Sequence, residues 1–318
     1  EMCIRDRNLF MKKCAIIMNP ESGKIKSIGS KKNFYDILRK YGYDAEIKYT
    51  KQPKDATEIV KNLPNDIDLV ISAGGDGTLN EVVTGNMART KKLTLANLPM
   101  GTTNDVGHMY GLNSDYIKNL ELILSGTIKT IDICYMNDEP FIYVCCLGDY
   151  IDMSYNTPRE LKKKYGKIAY IIYGLKQLRN SIHTYNIKYR IDGKEYTGNY
   201  AYFFITNSSR VAGMNDIYCE DIKLNDGMFE VALVPLKNKK DMLKAFFELS
   251  RYGLKNISNV TYYQTDNFEL EFLDPPKVSW CIDGEEYKTS KHVLNFNVTG
   301  KMKMLLPKEN INRLFKEE

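Results

Sequence analysis

Apolar and polar positions change rhythm once along the 318-residue chain, near Ile131. Before that point short apolar runs alternate with stretches of helical spacing. Ala15–Met18, Ala45–Tyr49, Ile67–Ile71 and Leu93–Leu98 read as strands. Lys31–Lys40, Asp55–Asn62 and Leu120–Leu124 read as helices. Alternation of this kind predicts a parallel sheet flanked by helices. Beyond Ile131 the strand-like runs are Phe141–Leu147, Tyr185–Ile191, Tyr200–Thr206, Phe229–Leu233, Tyr262–Phe272 and Leu294–Val298. Asp192-Gly193 and Asp283-Gly284 are hairpin signals between them. Two helical stretches interrupt this half: a lysine-led one with Ile168, Ile171, Ile172 and Leu175 in helical register, and Lys239–Ser250. A mostly antiparallel second domain is expected, with no internal repeat or low-complexity linker.

The chemistry concentrates where strands of the first half end. Gly74-Gly75-Asp76-Gly77-Thr78-Leu79-Asn80 follows an apolar strand and precedes Leu79, Val82 and Val83, spaced for the buried face of a helix. The glycines remove side chains where backbone turns and approaches a ligand. Thr78 is placed to cap the helix, whose N-terminal N–H groups and dipole favour an anion. Asp76 would be repelled by phosphates unless a metal ion or a donor hydroxyl lay between them. Strand, glycine turn, acid and helix together predict a nucleotide phosphate site with Mg²⁺ nearby. Pro99-Met100-Gly101-Thr102-Thr103-Asn104-Asp105 closes the next strand in the same manner. Asn19-Pro20-Glu21-Ser22-Gly23-Lys24 closes the first and offers a lysine. Consecutive parallel strands put such loops along one edge of the sheet, where these sheets bind ligands.

These three loops resemble the motifs of the diacylglycerol kinase catalytic domain, in its soluble bacterial branch of lipid kinases, which includes sphingosine-kinase-like enzymes. The resemblance continues in order through Gly148…Ser154-Tyr155, Lys164…Gly166-Lys167, Asn225-Asp226-Gly227 and Ile282-Asp283-Gly284-Glu285. It implies an α/β plus β fold: an N-terminal doubly wound parallel-sheet nucleotide-binding domain and a C-terminal antiparallel β-sandwich domain. Expected boundaries are 11–131, with 300–318 returning through a last strand near Met302–Leu306, and 132–299 for the lipid-substrate domain. Residues 1–10 do not resemble the family start, which suits Met11, and are expected to be a non-native leader.

The implied reaction moves the γ-phosphoryl group of ATP, with Mg²⁺, onto a lipid hydroxyl, diacylglycerol foremost. Asp76 is expected to organise magnesium or nucleotide, and Asp105 to orient Lys24 or share the ion network. Asn19, Asn80, Gly101, Thr103 and the backbone of Gly74, Gly75, Asp76, Gly77 and Thr78 would cradle phosphates. The resemblance sets Thr50 beside the nucleotide and makes Glu285 the general base, with Glu286 the neighbouring register. It gives Asp226, with the carbonyls of Lys223 and Met228, a structural magnesium, and makes Asp132 a domain-junction acid. Val106-Gly107-His108 and Gly148-Asp149-Tyr150 depart from the family pattern near the expected lipid approach. Other lipids (a sphingoid base, ceramide, monoacylglycerol, phosphatidylglycerol) remain alternatives, as do NAD kinase and a noncatalytic nucleotide- or lipid-binding regulator. NAD kinase is disfavoured by Gly101-Thr102-Thr103-Asn104-Asp105, and a regulator by the presence of Asp76, Asp105 and Glu285.

Composition fits two domains with sizeable cores: 43% of residues are hydrophobic and 27% charged. The longest apolar stretches are far too short to span a bilayer, and no secretory signal is convincing. The seven cysteines form no CxxC pair, so free thiols in a reducing cytoplasm are expected, with Cys145 and Cys146 on opposite faces of one strand. The isolated His108, His183 and His292 do not support a zinc site. A net charge of +5 without an arginine-rich helix argues against nucleic acid. Lys162-Lys163-Lys164 with Lys167 would attract an anionic membrane surface. A cytoplasmic homodimer visiting the inner face of the membrane is the implied state.

Overall fold

The computed structural model describes residues 11–22, 31–148, 182–211, 213, 214, 217, 222–276 and 279–317. Lys24, Asp149, Tyr150 and the lysine-led stretch from Lys162 lie outside them. The chain divides into two compact units, Glu1–Ile133 with Gly300–Glu318 and Cys134–Thr299.

The first unit is built from β1 (Lys12–Met18), α1 (Lys31–Lys40), β2 (Tyr43–Tyr49), α2 (Asp55–Lys61), β3 (Leu69–Gly74), α3 (Asp76–Met87), β4 (Thr94–Pro99), α4 (Asp105–Met109), α5 (Tyr116–Leu124) and the start of β5 (Thr127–Met136). Its strands lie in the order β2-β1-β3-β4 and are all parallel. β1 and β3 are buried on both faces over Cys14–Met18 and Leu69–Gly74, as expected for parallel strands with helices on either side. That double burial explains why they read as unbroken apolar runs. Leu79, Val82 and Val83 are buried along α3, as their spacing predicts. Arg89 is buried after α3, and its Nη1 donates to the carbonyls of Val60 (2.9 Å), Lys61 (3.1 Å) and Leu63 (2.7 Å). Val60 and Lys61 end α2 and Leu63 follows its C-cap Asn62, so one guanidinium nitrogen gathers the carbonyls of the helix end.

The second unit holds β6 (Glu139–Phe141), β7 (Val144–Leu147), β8 (Tyr185–Ile191), β9 (Lys194–Tyr200), β10 (Tyr202–Thr206), β11 (Phe229–Val234), α6 (Lys239–Tyr252), β12 (Thr261–Thr265), β13 (Asn267–Phe272), β14 (Trp280–Ile282), β15 (Glu285–Tyr287) and the first part of β16 (Val293–Leu306). One sheet runs β16-β13-β8-β9 and the other β12-β11-β10-β7-β14-β15, with antiparallel neighbours throughout. The core between them joins Tyr189, Phe268 and Phe296 of the first sheet to Phe203, Val231 and Ile282 of the second. This is the β-sandwich that the resemblance implies. Cys145 belongs to that core and Cys146 does not, so adjacent thiols do face opposite ways. Asp192-Gly193 and Asp283-Gly284 form the expected two-residue turns, with φ of 49° and 72°, and 47° and 93°.

Three strand expectations need correction. Tyr262–Phe272 is two strands in different sheets, β12 beside β11 and β13 beside β8 and β16. The chain changes sheet at Asp266, where Thr265 Oγ1 bonds to both the carbonyl and the N–H of Asn267; alternation carries through a bend of this kind and cannot announce it. Phe141–Leu147 is interrupted because the N–H groups of Ile142, Tyr143 and Val144 bond to the Asp283 carboxylate. The strand near Met302–Leu306 is the second half of β16, which begins at Val293 and continues into the first unit, where Met304 lies opposite Leu95 of β4.

Candidate active site

Three loops end adjacent strands at one edge of the parallel sheet, after Met18, Gly74 and Pro99. Backbone bonds continue the ladder into them: Asn19 N–H donates to Ala73 O (3.1 Å), Met100 N–H to Gly74 O (2.7 Å), and Thr50 N–H to Met18 O (3.0 Å). Asn19, Thr50, the Gly74–Asn80 segment and Gly101 through Asp105 therefore gather at one edge. Thr50 and Thr78 are buried, Asn80 is half-buried and Thr103 is exposed.

The helix after the glycine loop begins earlier than expected. α3 starts at Asp76 with Gly75 as its N-cap and no side-chain cap. Thr78 lies within the first turn, so it does not cap the helix. Its hydroxyl instead accepts from Asn19 Nδ2 at 3.4 Å, linking the first and second loops.

Asp76 links the second and third. Its Oδ2 accepts the N–H of Asp105 at 2.8 Å and its Oδ1 that of Val106 at 3.3 Å. Asp105 and Val106 are the first residues of α4, whose N-cap Asn104 offers no side-chain bond to them. Asp76 thus caps a helix other than its own, its carboxyl group set at the positive end of the dipole. Glu81 does the same for α2, accepting from Lys54 N–H (2.9 Å) and Ala56 N–H (3.1 Å).

The glycines serve close packing more than unusual torsions. Gly74, Gly75 and Gly101 have no left-handed φ. A Cβ on Gly74 would fall 2.4 Å from Thr78 Oγ1, and one on Gly101 2.6 Å from Gly75 Cα. Loops two and three therefore touch backbone to backbone. Asn104 sits in the left-handed region at φ 50° and closes the third loop, accepting from Gly101 N–H (2.9 Å) and donating to Gly101 O (2.8 Å). Its role was not assigned from sequence; the local signal is an asparagine three residues after a glycine, which suits a side-chain-closed turn. Asp105 and Asp132 are both buried, on α4 and β5.

The remaining candidates belong to the second unit. Glu285 is exposed at the start of β15, opposite Ile282. Glu286 follows it on the other face of the strand and pairs with Lys288 at 3.4 Å. The hairpin is anchored by Asp283, fully buried, whose carboxylate accepts from Ile142 (2.7 Å), Tyr143 (3.0 Å) and Val144 (3.1 Å). Asp226 lies in a turn with Gly227 at φ 72°; its Oδ1 accepts Met228 N–H at 3.0 Å. Gln264 Nε2 lies 3.4 Å from Asp226 Oδ2 and 3.3 Å from Oε1 of the buried Glu230, a residue sequence reading missed.

Among the described residues no group of three or more His, Cys, Asp or Glu side chains converges as a metal site. A magnesium ion at the turn of Asp226 would draw on backbone carbonyls as well as the Asp226 carboxylate, oxygen donors of the kind it prefers.

Residues 13–136 match the model of the diacylglycerol kinase catalytic domain. The diacylglycerol kinase of Bacillus subtilis (strain 168) is 31% identical over 284 residues, covering 86% of this chain and 90% of that protein. The chain belongs to the diacylglycerol kinase family. The diacylglycerol kinase of Staphylococcus haemolyticus (strain JCSC1435) is 31% identical over 97% of this chain and 92% of its own. A crystal structure of a diacylglycerol kinase from Bacillus anthracis str. Sterne superposes with a TM-score of 0.71 at 23% identity, over 93% of this chain and 97% of that one. This structure shares the family fold, and the family makes the chain a diacylglycerol-kinase-like enzyme, a lipid kinase. No helix among the described residues is long and apolar enough to cross a membrane.

Proposed function

We propose that this enzyme transfers the γ-phosphoryl group of ATP to the free hydroxyl of diacylglycerol, giving phosphatidic acid. The observation that carries the reading is the coupling of the two acidic loops, in which Asp76 holds the start of α4 through Asp105 and Val106. Phosphoryl transfer demands positioning and charge neutralisation more than covalent chemistry, and two loops locked in this way form a rigid cradle.

In this reading the N–H groups of Gly75, Asp76 and Gly77 at the start of α3 bind phosphate oxygens, as helix N-termini do. Asn19, Asn80, Gly101 and Thr103 complete the cradle, Thr50 lies beside the nucleotide, and Lys24 adds positive charge under the orientation of Asp105. Asp76 and Asp105 would hold the catalytic Mg²⁺, and Asp226 with the carbonyls of Lys223 and Met228 a structural one. Bound magnesium supplies neutralisation of the phosphate charge. Glu285 takes the proton of the attacking hydroxyl, a role a carboxylate fills without unusual chemistry; its support is the resemblance of Ile282-Asp283-Gly284-Glu285 to the family motif. Asp132, the acid that the resemblance sets at the domain junction, lies on β5 two residues before Cys134, where the second unit begins in the chain. The reading keeps the enzyme a cytoplasmic homodimer that meets its substrate at the inner face of the membrane.

Transfer of labelled γ-phosphate from Mg-ATP to a panel of lipids in mixed micelles tests this, with Asp76→Ala and Glu285→Ala beside the unaltered chain. Label on diacylglycerol that both variants lose is the expected outcome. Label on another lipid alone changes the acceptor, and no label with nucleotide binding intact overturns the kinase reading.

A further inference from the structure

The outward face of α6 carries two large exposed apolar side chains, Leu243 at 53% and Phe247 at 56%. They are four residues apart and so lie one above the other. Lys240, Lys244 and Arg251 share that face, at spacings of three, four and seven residues along the same stripe, and all three are exposed. The guanidinium of Arg251 lies 6.0 Å above the Phe247 ring and 5.6 Å from that of Tyr252, itself 48% exposed. The side chain therefore spreads over apolar surface with its charge outward.

Both acids of the helix are engaged by backbone. Asp241 accepts the N–H of Lys237 at 3.1 Å, and Glu248 accepts the N–H and hydroxyl of Ser258 at 2.7 and 2.6 Å. Glu248 is 13% exposed and also lies 3.6 Å from Lys244. The exposed stripe is thus apolar at its centre and cationic at its edges, with the two partly buried acids of the helix beside it and turned to backbone partners. On the opposite side Ala245 is buried against the unit.

We infer that this face of α6 is a docking surface for an anionic lipid bilayer, with Leu243 and Phe247 entering the interface and Lys240, Lys244 and Arg251 meeting lipid phosphates. Apolar residues flanked by lysine and arginine are what a helix lying in the plane of a membrane presents. Each cation near an anionic leaflet strengthens the attraction. A second copy of this chain fits the face poorly: a two-fold contact would set the stripe against itself, cation facing cation. The inference gives the surface a purpose through the lipid-kinase reading, on which it rests for that purpose alone.

The test is sedimentation of the full chain with vesicles of phosphatidylcholine alone and of phosphatidylcholine mixed with phosphatidylglycerol. Leu243→Ala with Phe247→Ala, and Lys240→Glu with Lys244→Glu, are compared with the unaltered chain. We expect strong pelleting only with the anionic vesicles, lowered about tenfold or more by either pair. The far-ultraviolet spectrum and melting temperature stay unchanged, since all four positions are exposed. Phosphorylation of a short-chain acceptor dispersed in water stays unchanged while that of vesicle-borne acceptor falls. Equal pelleting by all three proteins overturns the inference, as does equal pelleting on neutral and anionic vesicles. A concentration-dependent dimer that both pairs abolish, with vesicle binding kept, overturns it in favour of self-association. If no acceptor is phosphorylated by the unaltered chain, the kinase reading fails while the vesicle comparison still decides the role of α6.

Discussion

The carboxylate of Asp76 accepts the backbone N–H of Asp105 at 2.8 Å, so the first residue of one acidic loop's helix caps the helix of the next. The link joins the two loops through one carboxylate. Through it Asp76 also sets the position of the second acid, Asp105.

Asp76→Ala removes the acceptor for two N–H groups and is expected to cost about 1.5–3 kcal/mol, the range for hydrogen bonds to a charged group. Asp76→Asn keeps an acceptor oxygen and should cost about half as much. Urea unfolding of both variants checks this. An Asp76→Ala protein as stable as the unaltered chain would show that the cap carries no weight. A loss of kinase activity in Asp76→Asn well beyond its stability loss would separate the chemical role from the capping one.

Gly101→Ala tests the contact between loops. The added Cβ would meet Gly75 Cα at 2.6 Å and the Asn104 side-chain Oδ1 at 2.8 Å, so the Gly75 backbone must move and the hydrogen bonds by which Asn104 closes the loop must shift. Overpacking of this kind costs about 1–3 kcal/mol. Calorimetric titration with ATP should show weaker binding, whereas an unchanged affinity would mean that the loops can separate without disturbing the nucleotide.

Asp283→Asn tests the anchor of the Glu285 hairpin. Asparagine tolerates the left-handed torsion at this position, φ 47°, so the change isolates hydrogen bonding. One amide oxygen cannot satisfy the N–H groups of Ile142, Tyr143 and Val144 together, and leaving a buried donor unsatisfied costs about 1–3 kcal/mol. Denaturant unfolding should show a loss of this size. If Glu285 acts as proposed, the phosphoryl-transfer rate falls as well, because the hairpin that carries it loosens.

Glu248 provides a pH signature. The Ser258 hydroxyl, the Ser258 N–H and then Lys244 hold its carboxyl below the ordinary 4.5, against the opposing effect of burial. A carboxyl lowered in the folded state adds stability above the unfolded value, and that stability is lost as pH falls through the lower folded value. The melting-temperature gap between the unaltered chain and Glu248→Gln is therefore expected to be widest above pH 4.5 and to close below it. A gap that does not change with pH would assign the effect to packing alone.

Much of the fold was legible in the linear pattern. Helix α1, strand β8, both Asp-Gly hairpins and the change from parallel to antiparallel architecture follow from periodicity and turn chemistry, which are local. The clustering of Asn19, Asp76 and Asp105 loops at one sheet edge was legible too, because parallel connectivity leaves little choice of where strand ends go. The division of Tyr262–Phe272 between two sheets was not, since a bend that preserves alternation leaves no mark on the pattern.

Sequence by itself determined which residue types stand where strands end, and hence that glycines, carboxylates and helix starts share one edge. Only the tertiary structure decided what those groups do to each other: that Thr78 serves Asn19 rather than its own helix, that Asp76 caps α4, that Gly101 must be bare to lie against Gly75, and that Asp283 holds a segment 139 to 141 residues away. A hydrogen bond between residues far apart in the chain depends on distance in space, and no period of two or 3.6 residues encodes that distance.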